Sequence, residues 1–220
     1  MPGIIAALRL QRSGRKVTVE MVGAESFSLS LPLADGLHPG QALESGAIEE
    51  LIGRERLEAA YQRCLALIAR RPRSRTELER YLRARKTGGQ EAQAVLGRLV
   101  ERGLLDDREF ARQWVENRQA FRPRSRRALH SELRRMGVAE PEAREALGTV
   151  REDDAALAAA RKKAARLMES VRGNPKPRQA FENKLTAFLA SRGFDFDLSR
   201  ETARTVWGEA NHPGERESET

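Results

Sequence analysis

The chain has 220 residues, of which 40% are hydrophobic, 5% aromatic and 33% charged, a balance that favours solvated helices over β-sandwiches or barrels. A formal charge of +8 and a pI near 10.3 point to a polyanionic partner, nucleic acid or an acidic protein surface, with a plain solvated basic face as the alternative. The single cysteine, Cys64, excludes an intramolecular disulfide framework, and the lack of an apolar run of about 18 residues or of a leader pattern predicts a cytoplasmic protein with no membrane partner.

The first segments, "IIAALRL", "KVTVEMV" and "SFSLSLP", alternate apolar and polar positions (Val17, Val19, Met21; Phe27, Leu29, Leu31) and are separated by the turn-forming stretches "RSGR" and "GAES". They predict a three-stranded antiparallel sheet over residues 3–32 inside a β-rich module spanning 1–54. Three strands need a cover for their apolar face, and "IEELIGRERLEAAY" is expected to begin the helix that supplies it.

From residue 55 the period becomes helical. Leu57, Tyr61, Cys64, Leu65 and Ile68 follow three-and-four spacing, then Leu78, Tyr81 and Leu82 after "RRPRSR", then Val95, Leu96, Leu99 and Val100 after "KTGG". Cys64 therefore reads as a buried, inert thiol. The same succession returns with Phe110, Trp114 and Val115, then "FRPRSR", Leu129, Leu133 and Met136, Gly137, and Ala143, Ala146 and Leu147. Pro72 and Pro123 stand 51 residues apart. A third, less regular pass runs through Leu157, Ala160, Ala164 and Leu167, "RGNPKPRQ", Phe181, Leu185 and Leu189, Gly193, and Ala203, Val206 and Trp207. The fold class expected is mainly α: tandem three-helix repeats in an elongated array at 55–105, 106–152 and 153–207, preceded by the small antiparallel β module, with a disordered tail at 208–220.

Punctuation is legible between the helices. Asp106 caps a helix beginning at Asp107, with Glu109 completing a capping box and Leu105 and Phe110 a hydrophobic staple. Gly103 closes the helix before it. In the repeated "RPRSR", proline ends one helix and Ser74 or Ser125 caps the next, with Glu77 completing a box in the first copy. Proline and serine are thus assigned to folding, whereas the arginines read as surplus, because cations near a helix N-terminus oppose its dipole. Arg70 to Lys86 contains eight basic and two acidic residues, and Arg118 to Arg135 seven and one.

Catalytic chemistry is not indicated. "KTGG" lacks the glycines and hydroxyl of a P-loop. His38, His130 and His212 are far apart in the sequence and match no zinc or triad spacing. Asp106 and Asp107 have no third ligand at a supporting distance. No enzyme activity, metal or cofactor is expected.

Taken together, "YQRCLALIARRPRSRTELERYL", "VLGRLVERGLLDDREFARQWVENR", "RPRSRRALHSELRRMGV" and "KLTAFLASRGF" resemble the RecX family of regulators of the bacterial RecA recombinase over about residues 55–207. The N-terminal strands with "GLHPGQAL" are similar to a β-rich extension found in part of that family. The resemblance implies tandem three-helix repeats and a non-enzymatic regulator that binds RecA nucleoprotein filaments, lowers strand exchange and ATPase activity, and in several cases binds DNA. No catalytic residue follows from it. Charge and position, rather than the resemblance, suggest a basic edge that meets RecA or DNA: Arg70, Arg71, Arg73, Arg75 and Arg83; Arg122, Arg124, Arg126, Arg127, Arg134 and Arg135; Lys162, Lys163, Lys176 and Arg178. Single- or double-stranded DNA would be held nonspecifically, by a monomer. The competing expectation is a DNA-binding transcriptional regulator that uses its basic three-helix units for readout. Two features depart from the repeat pattern: "KTGG" stands where the second repeat has "RMG", and the third linker lacks RPRSR.

Overall fold

The computed structural model of the chain describes residues 3–172 and 174–211. They divide into two compact units: one runs up to Arg73 and resumes over Glu77–Leu105, and the other holds Ser74–Thr76 and the residues from Asp106 onward.

The first unit begins with strands β1 (Gly3–Leu10), β2 (Lys16–Val22) and β3 (Phe27–Ser30), a short helix α1 (Leu31–Ala34) and strand β4 (Ala42–Leu43). They form a four-stranded antiparallel sheet in the order β3-β2-β1-β4. The three-stranded expectation is corrected by β4, whose two residues pair with Gly3 and Ile4 and are too few to carry a period. A register shift between Ile5 and Ala7 explains why β1 alternates poorly: beyond it the even-numbered Leu8 joins the inward face that Ile5 occupies before it. Pro32 ends β3 by starting α1.

Helix α2 (Ser45–Ile68) is 24 residues long and starts ten residues before the predicted first repeat. Its N-terminal half covers the sheet with Ile48, Leu51 and Ile52, and its C-terminal half gives Ala60, Tyr61 and Cys64 to the core of the first repeat. Glu55 lies between the two, accepting hydrogen bonds from the Ser30 amide (2.6 Å) and Lys16 Nζ (2.8 Å). Helices α3 (Arg75–Ala84) and α4 (Gly89–Glu101) complete the repeat, burying Leu78, Leu82, Val95, Leu96 and Leu99. Cys64 is fully buried, and burial raises its thiol pKa, so the thiol stays protonated.

The second unit contains two repeats. Helices α5 (Asp107–Phe121), α6 (Arg126–Arg135) and α7 (Glu140–Leu147) enclose Phe110, Val115, Leu129, Leu133 and Val138. Helices α8 (Glu152–Val171), α9 (Pro177–Ser191) and α10 (Phe196–Asn211) enclose an alanine-rich α8 face against Phe181, Leu185, Leu189 and Val206. Because α10 continues to Asn211, residues 208–211 of the predicted tail are helical, and the rest of that tail lies outside the described residues.

Four helix ends close alike, with a backbone amide reaching five residues back: Thr87 to Leu82, Leu104 to Leu99, Val138 to Leu133 and Phe194 to Leu189. The preceding residue has positive φ in each case: Lys86 (56°), Gly103 (66°), Gly137 (78°) and Gly193 (92°). Lysine in that conformation costs roughly 1–2 kcal/mol relative to glycine. A side chain is tolerable at 86, but not at two of the others. A Cβ at Gly137 would overlap the Thr76 side chain, and one at Gly193 would lie 2.6 Å from Ser125 Oγ and 2.8 Å from Ala128 Cβ.

Candidate functional site

The predicted caps form in part. Asp106 accepts from the amides of Arg108 (2.9 Å) and Glu109 (3.2 Å), and Ser125 accepts from Ala128 N (3.1 Å). The Glu109 carboxylate instead binds Arg112 and Gln113. Leu105 packs in the core of the first unit and Phe110 in that of the second. Ser74 Oγ donates to the Met136 carbonyl (2.5 Å), and Thr76 Oγ1 to the Gly137 carbonyl (3.2 Å). Asp107 serves folding. It accepts the Arg75 amide (2.8 Å), as Glu152 accepts the Arg126 amide (3.0 Å).

The reading that folding makes no use of the linker arginines is corrected. In the first unit Arg71 grips Glu77 with both terminal nitrogens (2.5 and 3.1 Å), and Arg73 approaches the same carboxylate at 3.7 Å. In the second unit Arg124 pairs with the buried Glu132 (3.0 Å). Arg126 Nε and Nη2 both donate to the Leu147 carbonyl (3.2 and 3.1 Å), satisfying the C-terminal end of α7. Sequence alone hides these tasks because each partner lies at least four residues away and, in the second copy, on the next turn or helix.

In the second unit several cations gather at the end of α5. Arg122 follows Phe121 at the end of α5, and Phe121 is 72% exposed. Lys162 Nζ donates to the Ala120 carbonyl beside it. Arg192 donates to the Pro123 carbonyl (3.0 Å) and lies over the Phe188 ring at 4.5 Å, with Lys163 at 5.7 Å from the same ring. Burial, then the positive charges of Arg124 and Arg122, pulls the Arg192 pKa below its ordinary value. The arrangement is a positive cluster interleaved with aromatic rings, where an incoming anion would relieve repulsion.

The predicted site residues therefore do not form one group, because folding holds several of them. Arg122, Arg124, Lys162 and Lys163 come together, whereas Arg134 and Arg135 lie at the far end of α6, about 15 Å along the helix. Arg127 donates to the Gly193 carbonyl (3.4 Å), Arg178 pairs with Glu182 (2.8 Å), and Lys176 is exposed at the head of α9. Arg70 and Arg83 are exposed on the first unit, and Arg75 serves through its backbone amide. The sequence reading missed Arg192 and the two phenylalanines. The available signal was that Arg192 precedes Gly193 as Met136 precedes Gly137, a position whose carbonyl meets a linker serine: Ser125 N donates to Arg192 O (3.3 Å) as Ser74 Oγ donates to Met136 O. Among the described residues, no group of three His, Cys, Asp or Glu side chains could hold a metal ion, and no helix is long and apolar enough to cross a membrane.

Comparison with known proteins agrees with this architecture. The signature described as RecX, first three-helix domain, matches residues 60–99, and that of RecX, second three-helix domain, matches 106–147. The regulatory protein RecX of Thermobifida fusca is 37% identical over 174 residues, covering 78% of this chain and 88% of the relative. The regulatory protein RecX of Mycolicibacterium smegmatis is 36% identical over 152 residues, covering 66% and 78%. A crystal structure of a regulatory protein RecX superposes with a TM-score of 0.63 at 21% identity, over 89% of this chain and 96% of that one, and so supports the fold. By these matches the chain belongs to the RecX family of regulatory proteins.

Proposed function

We propose that this protein binds RecA or RecA–DNA filaments and lowers recombinase and ATPase activity, modulating recombination and the DNA-damage response without chemistry of its own. Membership of a regulatory family supports a regulatory role, and the RecA target follows from the family resemblance. The structural observation that carries the reading is the cluster at the end of α5, where Arg192 donates to the carbonyl of Pro123, between Arg122 and Arg124 and two residues beyond the exposed Phe121. An acidic protein surface or a phosphate backbone is the complementary partner, and Phe121 supplies an apolar anchor of the kind that dominates interface energetics. The protein acts as a cytoplasmic monomer, and DNA contacts are nonspecific and salt-sensitive.

The test is RecA's ATPase activity on single-stranded DNA. Substoichiometric protein suppresses it, and Arg122→Glu, which removes a guanidinium whose side chain makes no hydrogen bond or ion pair among the described residues, weakens suppression at least tenfold. Unchanged ATPase and filament length at saturating wild-type protein would sink the proposal. A second reading, a sequence-specific DNA regulator, draws on the exposed Arg127, Ser131, Arg134 and Arg135 of α6. A footprint at one operator that survives competitor DNA would favour it.

A further inference from the structure

A concavity of about 400 Å³ in the first unit, within the range of small-ligand sites, is lined by five cations and two carboxylates. Three elements contribute the positive charge. Strand β2 gives Lys16, α2 gives Arg56 and Arg63, and the turn after α3 gives Arg85 and Lys86. Arg56 and Arg63 are seven residues apart and so share one face of α2, with the small Ala59 between them on the lining. Both carboxylates have structural work: Glu55 holds the Ser30 amide and Lys16, and Glu91 accepts the Gly88 amide (3.2 Å). Arg56, Arg63 and Lys86 are exposed and make no ion pair among the described residues.

Lys86 is the telling member. Its positive φ belongs to a position that glycine fills at the three other helix ends that close in the same way. Folding favours glycine there, so the lysine side chain needs another reason. Backbone strain of this kind concentrates at functional positions. Beside the cations stands the half-buried ring of Phe27, which lines the same concavity from the start of the edge strand β3. An acidic peptide would use the charges and leave the ring idle. A nucleotide strand uses both, its phosphates meeting the cations and a base stacking on the ring, and a single strand leaves its bases free to do so.

We infer that the concavity formed by Lys16, Phe27, Arg56, Arg63, Arg85 and Lys86 binds single-stranded nucleic acid. It shares no residue with the cluster around Phe121 and does not rest on the filament reading, so it is tested without RecA. A labelled oligo-dT is titrated into the full chain by fluorescence anisotropy, and lysine acetylation is mapped by mass spectrometry with and without the oligonucleotide. Lys86 should be protected from acetylation. Lys86→Gly, which suits the backbone, should leave the thermal midpoint undiminished while weakening binding about threefold or more, and should reduce the slope of log affinity against log salt by about 0.7. Phe27→Leu should weaken binding with the salt slope unchanged. Unprotected Lys86, or wild-type affinity in Lys86→Gly with a native circular dichroism spectrum, overturns the assignment. So does an unaffected Phe27→Leu variant from which polyglutamate displaces the oligonucleotide at equal charge, an outcome that assigns the site to acidic peptide instead.

Discussion

Glu132 is 7% exposed, yet three donors converge on it: Trp114 Nε1 and Arg118 Nε at 2.8 Å and Arg124 Nη1 at 3.0 Å. Arg118 also lies over the Trp114 ring, 4.3 Å from its centre. Removing the carboxylate leaves an indole N–H and two guanidinium groups short of an acceptor in a partly desolvated place. Both arginines retain some solvent, which lowers the penalty from that of a fully buried pair. Glu132→Ala should therefore cost about 2–3 kcal/mol in urea denaturation, whereas Arg122→Ala should cost under about 0.5 kcal/mol. Equal costs would mean that the arginines before α6 are interchangeable, contrary to the geometry. The distinction bears on function, since Arg122 is available to a partner while Arg124 is divided between a partner and Glu132.

At the scale of elements, α2 ties the sheet to the first repeat, and Glu55 is its fastening point. Burial alone would raise the Glu55 pKa, but the hydrogen bonds from Lys16 and Ser30 and the charge of Lys16 outweigh it and hold the carboxyl below the ordinary glutamate value. A depressed folded value means that the stabilisation is complete above the unfolded value of about 4.3 and is lost as pH falls through the folded one. Glu55→Gln should accordingly lower stability at neutral pH and flatten its loss below about pH 4.3, read from thermal midpoints across an acid series. An acid limb that matches the wild type would remove Glu55 from this role. The strands with strict alternation and the helices with three-and-four spacing were legible in the sequence because one buried face imposes the period. Strand β4 was not, because two residues have no period, whereas the start of α2 was legible to within three residues in "IEELIGRERLEAAY", whose apolar positions cover the sheet. At the candidate site, Arg122, Arg124, Lys162 and Lys163 could be nominated by charge, but only the contacts among Ala120, Pro123, Phe188 and Arg192 bring them into one cluster.

On the scale of the whole molecule, one device recurs within the second unit. Ser74 and Thr76 meet the turn at Gly137, and Ser125 and Arg127 meet the turn at Gly193. Gly193→Ala combines an unfavourable φ with overlap onto Ser125 and Ala128, and should cost about 3 kcal/mol. Gly208→Ala in α10 is the control of opposite sign: nothing lies within 4 Å of the added methyl group, and a helix interior favours alanine by roughly 0.5–1 kcal/mol. A Gly193→Ala variant with a wild-type urea midpoint would show that the joint yields at no cost. Both departures from the repeat pattern fall where the device is incomplete. Position 86 faces no linker serine and carries lysine, and the third linker, with Lys176 in the capping position, carries no serine to offer. The second repeat thus holds both a serine that looks forward, Ser125, and a glycine that looks back, Gly137. Copying such a segment in tandem reproduces both halves of the joint at once, so gene duplication could lengthen this protein without inventing a new interface.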